Sequence, residues 1–243
     1  MALIACDRHR PEDLAAWAAL ERLDRVALMG AGRRSLDAHA ARAEIMIAGS
    51  GESVFCGVSW GKDSVVVAHL VRRARPDIPL VWVRLPRFDN PDCGAVRDAF
   101  LAAHPGPYEE IWCPDPTVTS AGDLATGART SGYAQAARRW RRRITGLRAD
   151  ESRTRRISMR RRGLDGARSV TPIGWWSAAD VFRYLLLHDL PVHPAYAMNR
   201  RGMLDRDWLR VASLGGLRGT AMGRRQWEWE YYEAEMMALG VST

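Results

Sequence analysis

The stretch most suited to chemistry is SWGKDS, residues 59–64, which follows a short apolar run and opens a segment with helical apolar spacing. Its serine hydroxyls, its lysine ammonium and the first amides of a helix are all donors to anionic oxygens. Gly61 permits a positive φ and a close approach of backbone to ligand. The stretch therefore predicts a cradle for phosphate groups.

Lys62 is the only lysine in the chain, whose other 35 basic residues are arginines. An ammonium is a compact point charge on a flexible stem, whereas a guanidinium is a broad planar fork. We therefore expect Lys62 to serve a tight turn around a diphosphate, and we take Lys62 and Asp63 as candidate catalytic residues. Asp63 is also the candidate ligand for a Mg²⁺ ion that bridges phosphate oxygens.

These residues must be positioned by alternating strands and helices. Apolar runs predict strands at 53–59, 79–85 and 109–113, with further candidates at 143–148 and 169–174. Helical spacing is found at 11–29, 35–49, 62–74, 92–104, 178–189 and 224–240. The alternation predicts an α/β fold with three layers, α/β/α, around a mainly parallel sheet. The ligand crevice of such a sheet lies at the carboxyl ends of its strands.

The chain divides into three parts. Residues 1–50 are expected to form a helical segment packed on the core, residues 51–200 the nucleotide-binding domain, and residues 201–243 a helical extension of the same domain. The stretch 114–135 is rich in Ser, Thr, Gly and Pro and is expected to be a loop that stays mobile until ligand binds.

Composition narrows the class of protein. No apolar run is long enough to cross a bilayer, and the N-terminus becomes charged within seven residues, so we expect a cytoplasmic protein without membrane contact. The four cysteines are widely spaced, which argues against a zinc ribbon or an iron–sulfur cluster.

The positive charge is concentrated in one region of the sequence. The chain has a net charge of +8, and twelve of its 35 arginines lie in the stretch Arg138–Arg162. Such a stretch favours an anionic ligand: a nucleotide, a nucleic acid or an acidic protein partner. The alternative is a solvated face whose arginines reflect composition. A homo-oligomer is also possible.

Three motifs carry a family resemblance. SWGKDS is similar to the SGGxDS pyrophosphate loop of the PP-loop superfamily, with Trp60 in place of the first glycine. ITGLRADESRTRR (144–156) and TPIGWWSAADVFRYLLLHDLPVHPAY (171–196) resemble, in the same order, two segments of the phosphoadenosine phosphosulfate (PAPS) reductase family. The resemblance implies the adenine nucleotide alpha hydrolase-like fold of that superfamily.

The resemblance also implies a site for an adenine nucleotide, either ATP or PAPS. The loop would hold the 5′ phosphates, Arg148 and Arg155 would reach anionic oxygens, and Glu151 and Ser152 would order the second motif. Trp175 and Trp176 either stack on a base or pack in the core. The residues predicted to contact nucleotide are Ser59, Trp60, Gly61, Lys62, Asp63, Ser64, Gly146, Arg148, Glu151, Ser152 and Arg155.

One departure from the family bears on the reaction. Its sulfite-releasing reductases use a cysteine near the C-terminus as nucleophile, and this chain has no cysteine after Cys113. The first hypothesis is therefore an enzyme that cleaves ATP at the α-phosphate and activates an acceptor, for sulfur transfer or nucleic-acid modification, as in phage or mobile-element relatives. The second is a PAPS or adenylylsulfate reductase with an unusual thiol such as Cys93. The third is a nucleotide-dependent, nucleic-acid-binding regulator without turnover.

Overall fold

A sheet of five parallel strands forms the centre of the fold. The computed structural model describes residues 2–85, 87–113, 124–200, 203–207, 209, 211, 214 and 224–240. Within them the strand order is β4-β3-β2-β5-β6, with β2 (Val54–Val58), β3 (Leu80–Arg84), β4 (Tyr108–Trp112), β5 (Arg142–Ile144) and β6 (Ser169–Val170). A separate parallel pair joins β1 (Ala2–Leu3) to β7 (Pro191–Val192).

Nine helices in the described residues surround these strands. They are α1 (Pro11–Ala27), α2 (Ala31–Ala48), α3 (Lys62–Ala74), α4 (Cys93–Ala103), α5 (Leu124–Arg139), α6 (Arg153–Arg162), α7 (Ala178–Leu187), α8 (Arg224–Tyr231) and α9 (Glu233–Ala238). Two short 3₁₀ turns, Ala149–Glu151 and Pro194–Tyr196, complete the regular structure. No described helix has the length and apolarity needed to span a bilayer.

The two faces of the sheet bury separate cores. Side chains alternate across a strand, so Val54, Cys56 and Val58 of β2 face one side and Phe55 faces the other. The first side packs against α1, α2, α3, α4 and α7, and the second against α5, α8 and α9. Helices thus cover both faces of a parallel sheet, which confirms the predicted α/β/α class.

The strongest sequence signals gave accurate elements. Helix α3 spans the predicted residues 62–74, and α7 begins after Ser177, whose hydroxyl and Asp180 form a capping box. The predicted helix 224–240 is instead two helices separated at Tyr232. Helix α6, in the middle of the basic stretch, was not predicted, because its single buried side chain, Met159, leaves no apolar stripe to recognise.

The prediction of a loop over 114–135 was wrong from residue 124 onward, where α5 begins. Residues 114–123 lie outside the described part of the chain. The small residues that suggested a loop allow α5 to approach the sheet closely. A Cβ on Gly132 would lie 2.4 Å from Val83 Cγ1 and 2.5 Å from Cys113 Sγ, so only glycine fits at this contact.

Candidate functional site

The site lies where the strand order of the sheet reverses. From β2 the chain proceeds to β3 and β4 on one side, then returns to β5 on the other side of β2. The loops that follow β2 and β5 therefore leave the same edge of the sheet as direct neighbours. Ligands of open α/β sheets bind in the crevice at such a switch point. The topology thus brings the first motif, 59–64, against the second, 144–156.

Trp60 is part of the core rather than of the crevice surface. Its side chain is fully buried and packs on Trp82, Phe100 and Tyr108 at ring distances of 6.4, 5.7 and 5.8 Å. Its backbone has a φ of +60°, whereas Gly61 is extended at −80°. The positive φ expected at Gly61 therefore belongs to Trp60, and any contact of Trp60 with a nucleotide is left to its backbone.

Gly61 is required by close packing instead. A Cβ at this position would lie 3.1 Å from Tyr196 Oη and 3.4 Å from Val211 Cβ. The Tyr196 hydroxyl also accepts the Lys62 amide N–H at 3.0 Å, which occupies one of the free amides of the helix start. The protein's own tyrosine thus fills a position in which the sequence predicts an anionic ligand.

Hydrogen bonds within the loop involve both of its serines. The Ser64 hydroxyl donates to the Gly61 carbonyl at 3.0 Å and accepts the Ser59 amide N–H at 3.2 Å. Ser64 is buried, so its hydroxyl is engaged within the turn in this conformation. The bonds fix the shape of the loop between β2 and α3.

Lys62 turns inward. Its ammonium donates to the Leu209 carbonyl at 3.2 Å, lies 3.3 Å from Asp63 Oδ2, and sits 5.1 Å from the centre of the Tyr196 ring. Burial alone would lower the pKa of Lys62, but Tyr196 and Asp63 outweigh it and raise the pKa. Lys62 is therefore a buried cation, covered by the segment that contains Leu209 and Val211.

Arg148 is the second buried cation of the site. Its Nε donates to Asp63 Oδ1 at 2.5 Å, and its Nη1 donates to Asp150 Oδ1 at 2.5 Å and to the Trp176 carbonyl at 3.3 Å. Burial opposes the charge, but the carboxylates of Asp63 and Asp150 raise the pKa of Arg148. Asp63 thus links Lys62 to Arg148, and two carboxylates balance two cations.

Gly146 allows the two motifs to touch. A Cβ on this residue would lie 2.8 Å from the Asp63 carbonyl oxygen and 3.2 Å from the Ser64 amide nitrogen. Neither contact can be relieved by a flexible side chain, because both atoms are backbone. The glycine is therefore what lets the segment that follows β5 pass directly over the start of α3.

The other residues of the second motif order its turn. The Glu151 carboxylate accepts the Arg148 amide N–H at 2.9 Å and is paired with the Arg155 guanidinium. The Ser152 hydroxyl accepts the Arg155 amide N–H at 3.2 Å and caps α6. Arg155, which is partly exposed, is held beside the turn rather than in the chain of charges that joins Lys62 to Arg148.

Asp63 does not present a free carboxylate to a metal ion. One of its oxygens is bonded to Arg148 and the other faces Lys62. Among the described residues, no group of three or more His, Cys, Asp or Glu side chains could hold a metal. Mg²⁺ takes one or two carboxylates together with substrate phosphates. The arrangement as it stands does not fit a Mg²⁺ site.

Sequence reasoning missed Tyr196, Asp150 and the covering residue Leu209. Tyr196 ends the third motif, so its position was a usable signal, but nothing in the sequence says that it reaches Lys62. Asp150 lies between Arg148 and Glu151 in the second motif and was passed over as a turn residue. Leu209 contributes a backbone carbonyl, which no sequence pattern can reveal.

A thiol also lies beside the loop. Cys93, the first residue of α4, is buried with its Sγ 3.5 Å from the Ser59 carbonyl oxygen. A cavity of about 310 Å³ opens on the opposite side, next to Arg148, and is lined by acidic and basic groups. Its charged lining residues are Arg148, Asp150, Glu151, Arg156, Asp205 and Asp207.

Comparison with known proteins bears on the family. Residues 125–222 match the family model described as the phosphoadenosine phosphosulfate reductase domain. The match includes the second and third motifs and confirms the resemblance predicted from them; the loop 59–64 lies outside the matched residues. A search of curated protein sequences found no match.

Solved structures with some likeness have low identity. They include a PAPS reductase from Candida auris in a phosphate complex (10% identity, TM-score 0.49, 88% of this chain and 98% of that one). A U34-tRNA thiolase from Methanococcus maripaludis gives 11% identity and a TM-score of 0.47, over 85% and 81% of the chains. An NH₃-dependent NAD synthetase from Campylobacter jejuni gives 18% and 0.45, over 65% and 73%.

Proposed function

Since residues 125–222 match the PAPS reductase domain family, we propose that the chain is a PP-loop enzyme that binds an adenine nucleotide and cleaves ATP at the α-phosphate. One observation carries the proposal. At the switch point of a parallel sheet, the start of α3 meets the segment that follows β5, and Asp63 joins the two buried cations Lys62 and Arg148.

The charge balance of the site suggests how the nucleotide enters. Without ligand, Asp63 and Asp150 neutralise Lys62 and Arg148. A triphosphate carries more negative charge than either carboxylate and accepts more hydrogen bonds, so it competes for the same two cations. The carboxylates therefore act as placeholders for phosphate oxygens. Binding also requires the Tyr196 hydroxyl and the covering segment at Leu209 to move away from the loop.

The reaction balances without a redox partner. An acceptor oxygen or nitrogen forms a bond to the α-phosphorus, the bond between that phosphorus and the bridging oxygen to the β-phosphate breaks, and pyrophosphate leaves with the electron pair. Lys62, Arg148 and the first amides of α3 stabilise the charge that develops on the leaving group. The product is an adenylated acceptor; a later nucleophile bonds to the acceptor, and AMP leaves with the electron pair of the broken bond. Sulfur transfer or nucleic-acid modification would use such an acceptor.

Phosphorus NMR on the purified protein with ATP and Mg²⁺ tests the proposal. We expect signals of AMP and pyrophosphate to appear with the wild-type protein once a suitable acceptor or water takes the adenylyl group. Lys62→Met removes the ammonium while keeping an unbranched stem in the buried position, and we expect it to abolish the signals. Arg34→Ala, which removes an exposed positive charge on α2, is the matched control.

The result separates the hypotheses. AMP and pyrophosphate that depend on Lys62 support α-phosphate cleavage, whereas ADP and phosphate would mean cleavage at the γ-phosphate and would refute it. Equal activity of Lys62→Met, folded by circular dichroism, would remove the loop from the mechanism. Nucleotide binding without any turnover would favour the regulator.

A second function is favoured by the position of Cys93. Its thiol contacts the Ser59 carbonyl, which puts a potential nucleophile at the phosphate loop. As a PAPS reductase, the thiolate would bond to the sulfur of the sulfate group, and adenosine 3′,5′-bisphosphate would leave. A dithiol would then attack the cysteine sulfur, release sulfite and become oxidised to a disulfide.

PAPS and a dithiol in a parallel tube distinguish this function from the first. Formation of adenosine 3′,5′-bisphosphate and sulfite that is lost in Cys93→Ser would establish it. The matched variant Cys56→Ser changes a thiol that lies in β2 away from the loop. Turnover that survives Cys93→Ser would exclude Cys93 as the nucleophile.

A further inference from the structure

The basic stretch 138–162 does not form one uniform surface. Several of its arginines are committed: Arg139 is paired with Glu109, Arg142 with Asp165, and Arg143 lies 4.3 Å over the Tyr133 ring. In contrast, five arginines of α6 are exposed and have no ion pair within the described part of the chain. They are Arg153, Arg156, Arg160, Arg161 and Arg162.

An exposed tryptophan accompanies these arginines. Trp175 is 51% exposed, whereas its neighbour Trp176 is 5% exposed and packs 5.5 Å from the Tyr184 ring. The backbone on either side of Trp175 is held by hydrogen bonds, because the Gly174 carbonyl accepts the Ala149 amide N–H at 2.8 Å and the Trp176 amide N–H donates to the Ile173 carbonyl at 2.9 Å. An indole with half its surface in water, on a fixed backbone, is an available stacking surface.

Trp175 shares a groove with the arginines. A cavity of about 290 Å³ is lined by Trp175, Ser177, Arg156 and Arg160, among others. A larger cavity of about 640 Å³ continues it along α6, past Arg153 and Ile157. Arg153, Arg156 and Arg160 are spaced by three and four residues, so they lie on one face of the helix.

The groove leads to the nucleotide site. Asp150 and Arg156 line both of these cavities and also the one beside Arg148. The two carboxylates that line the groove itself are already compensated, Asp150 by Arg148 and Glu151 by Arg155. Asp205 and Asp207 line only the cavity beside Arg148. The field of the groove is therefore set by the unpaired arginines, and it is positive.

We propose that the groove between α6 and Trp175 binds single-stranded nucleic acid. Arg153, Arg156 and Arg160 contact the phosphates, and the Trp175 indole stacks on an unpaired base. An acidic peptide would use the arginines but gain little from the indole, and a duplex has no free base face to offer it. The inference goes beyond the proposed function and does not depend on it, since binding needs no nucleotide turnover.

Fluorescence anisotropy with labelled oligonucleotides of about 12 nucleotides, in the absence of ATP, tests the proposal. The probes are single-stranded DNA, single-stranded RNA and a DNA duplex. We expect both single strands to bind more tightly than the duplex, and the DNA and RNA arms show which sugar is preferred. Trp175→Ala should raise Kd about tenfold, and Trp175→Phe should restore most of the affinity, because stacking needs an aromatic face.

The salt dependence of binding measures the contribution of the arginines. Each phosphate neutralised on a single strand contributes about −0.7 to the slope of log K against log salt. The double variant Arg156→Ala with Arg160→Ala should reduce the slope by about 1.4, whereas Arg22→Ala with Arg34→Ala, which removes the same charge from α1 and α2, should not. Trp112→Ala removes another exposed tryptophan, on β4, as the aromatic control.

Each outcome either supports or overturns the proposed binding of single strands. Tighter binding of single strands that is lost in the Trp175 and Arg156/Arg160 variants, with unchanged thermal unfolding, supports the groove. Duplex binding as tight as single-strand binding, or equal effects of the control variants, would reduce the surface to a general attraction for polyanions and overturn the proposal. So would the absence of binding at about 50 mM salt, whatever the ATP assay shows.

Discussion

The loop 59–64 and the exposed face of α6 are both basic, yet their basic side chains lie in opposite environments. At the loop, Lys62 and Arg148 are buried, and carboxylates and carbonyls satisfy them. On α6, the arginines are exposed and have no ion pair among the described residues. The loop is therefore a closed network that a ligand must open, whereas the α6 face is open to a partner without rearrangement.

The difference shows that burial decides whether a basic side chain contributes to stability or stays available for binding. A buried cation without its partner costs several kcal/mol, so the positions of Lys62, Asp63 and Arg148 are coupled to folding. A solvated arginine costs little to leave unpaired and remains free for binding. Mutations should therefore affect stability at the loop and affinity on α6.

The two tryptophans give the largest contrast. Trp60→Ala removes a fully buried indole that packs on three aromatic rings, and we expect it to lower the free energy of unfolding by about 3–5 kcal/mol. Trp175→Ala removes an exposed indole and should change it by no more than about 0.5 kcal/mol. Urea unfolding followed by circular dichroism measures both. Similar small effects would mean that Trp60 is not a core residue.

The two arginines should differ in the same direction. Arg148→Ala leaves Asp63 and Asp150 without their shared cation, and we expect a loss of about 3 kcal/mol in unfolding free energy. Arg156→Ala should cost at most about 0.5 kcal/mol but weaken binding of single strands. Thermal unfolding and anisotropy on the same preparations check the pair. The comparison fails if Arg156→Ala proves the more destabilising.

Two glycine substitutions should give a smaller contrast in stability. Gly146→Ala would bring a methyl group to 2.8 Å from the Asp63 carbonyl oxygen. We therefore expect a loss of about 1–3 kcal/mol in unfolding free energy as the loop and the segment that follows β5 separate. Gly49→Ala, at the end of α2, has its nearest such contact at 3.6 Å and should be neutral within about 1 kcal/mol. Chemical denaturation of both variants measures the difference.

Low pH should lower the stability of the fold through two buried histidines. Burial, then the neighbouring His188 and His104, lower the pKa of His69 to about 3, and burial lowers the pKa of His193 to about 3. These histidines stay neutral in the fold and take up a proton when unfolded below about pH 6.5. Stability should therefore fall as the pH drops from about 6.5 towards 3, by at most about 1.4 kcal/mol per pH unit for each histidine.

Urea unfolding at several pH values measures this slope, and His69→Gln should flatten it. The salt slope of nucleic-acid binding should not change over the same range while the protein remains folded. A stability that rises on acidification would contradict the neutral state of the buried histidines.

Local pattern was enough to predict much of the fold. Helix α3 and the strand before it were found at nearly their observed ends, because the apolar run, the turn and the amphipathic repeat follow one another without interruption. Helix α5 was missed because its small residues are typical of loops, and only the surface of the sheet beneath it explains Gly132. The site residues were predicted by motif, and their roles as nucleotide ligands remain predictions.

The sequence by itself determined that the motifs at 59–64 and 144–156 lie at predicted strands of a parallel sheet, whose carboxyl ends share one edge. That β2 and β5 are direct neighbours, so that the two motifs meet, was decided by the tertiary structure. The tertiary structure alone decided how they meet. Tyr196, 134 residues along the chain from Lys62, occupies the Lys62 amide, and the Leu209 carbonyl draws the ammonium inward. Such contacts depend on packing between distant segments, and no local pattern encodes which polar group will satisfy a buried charge.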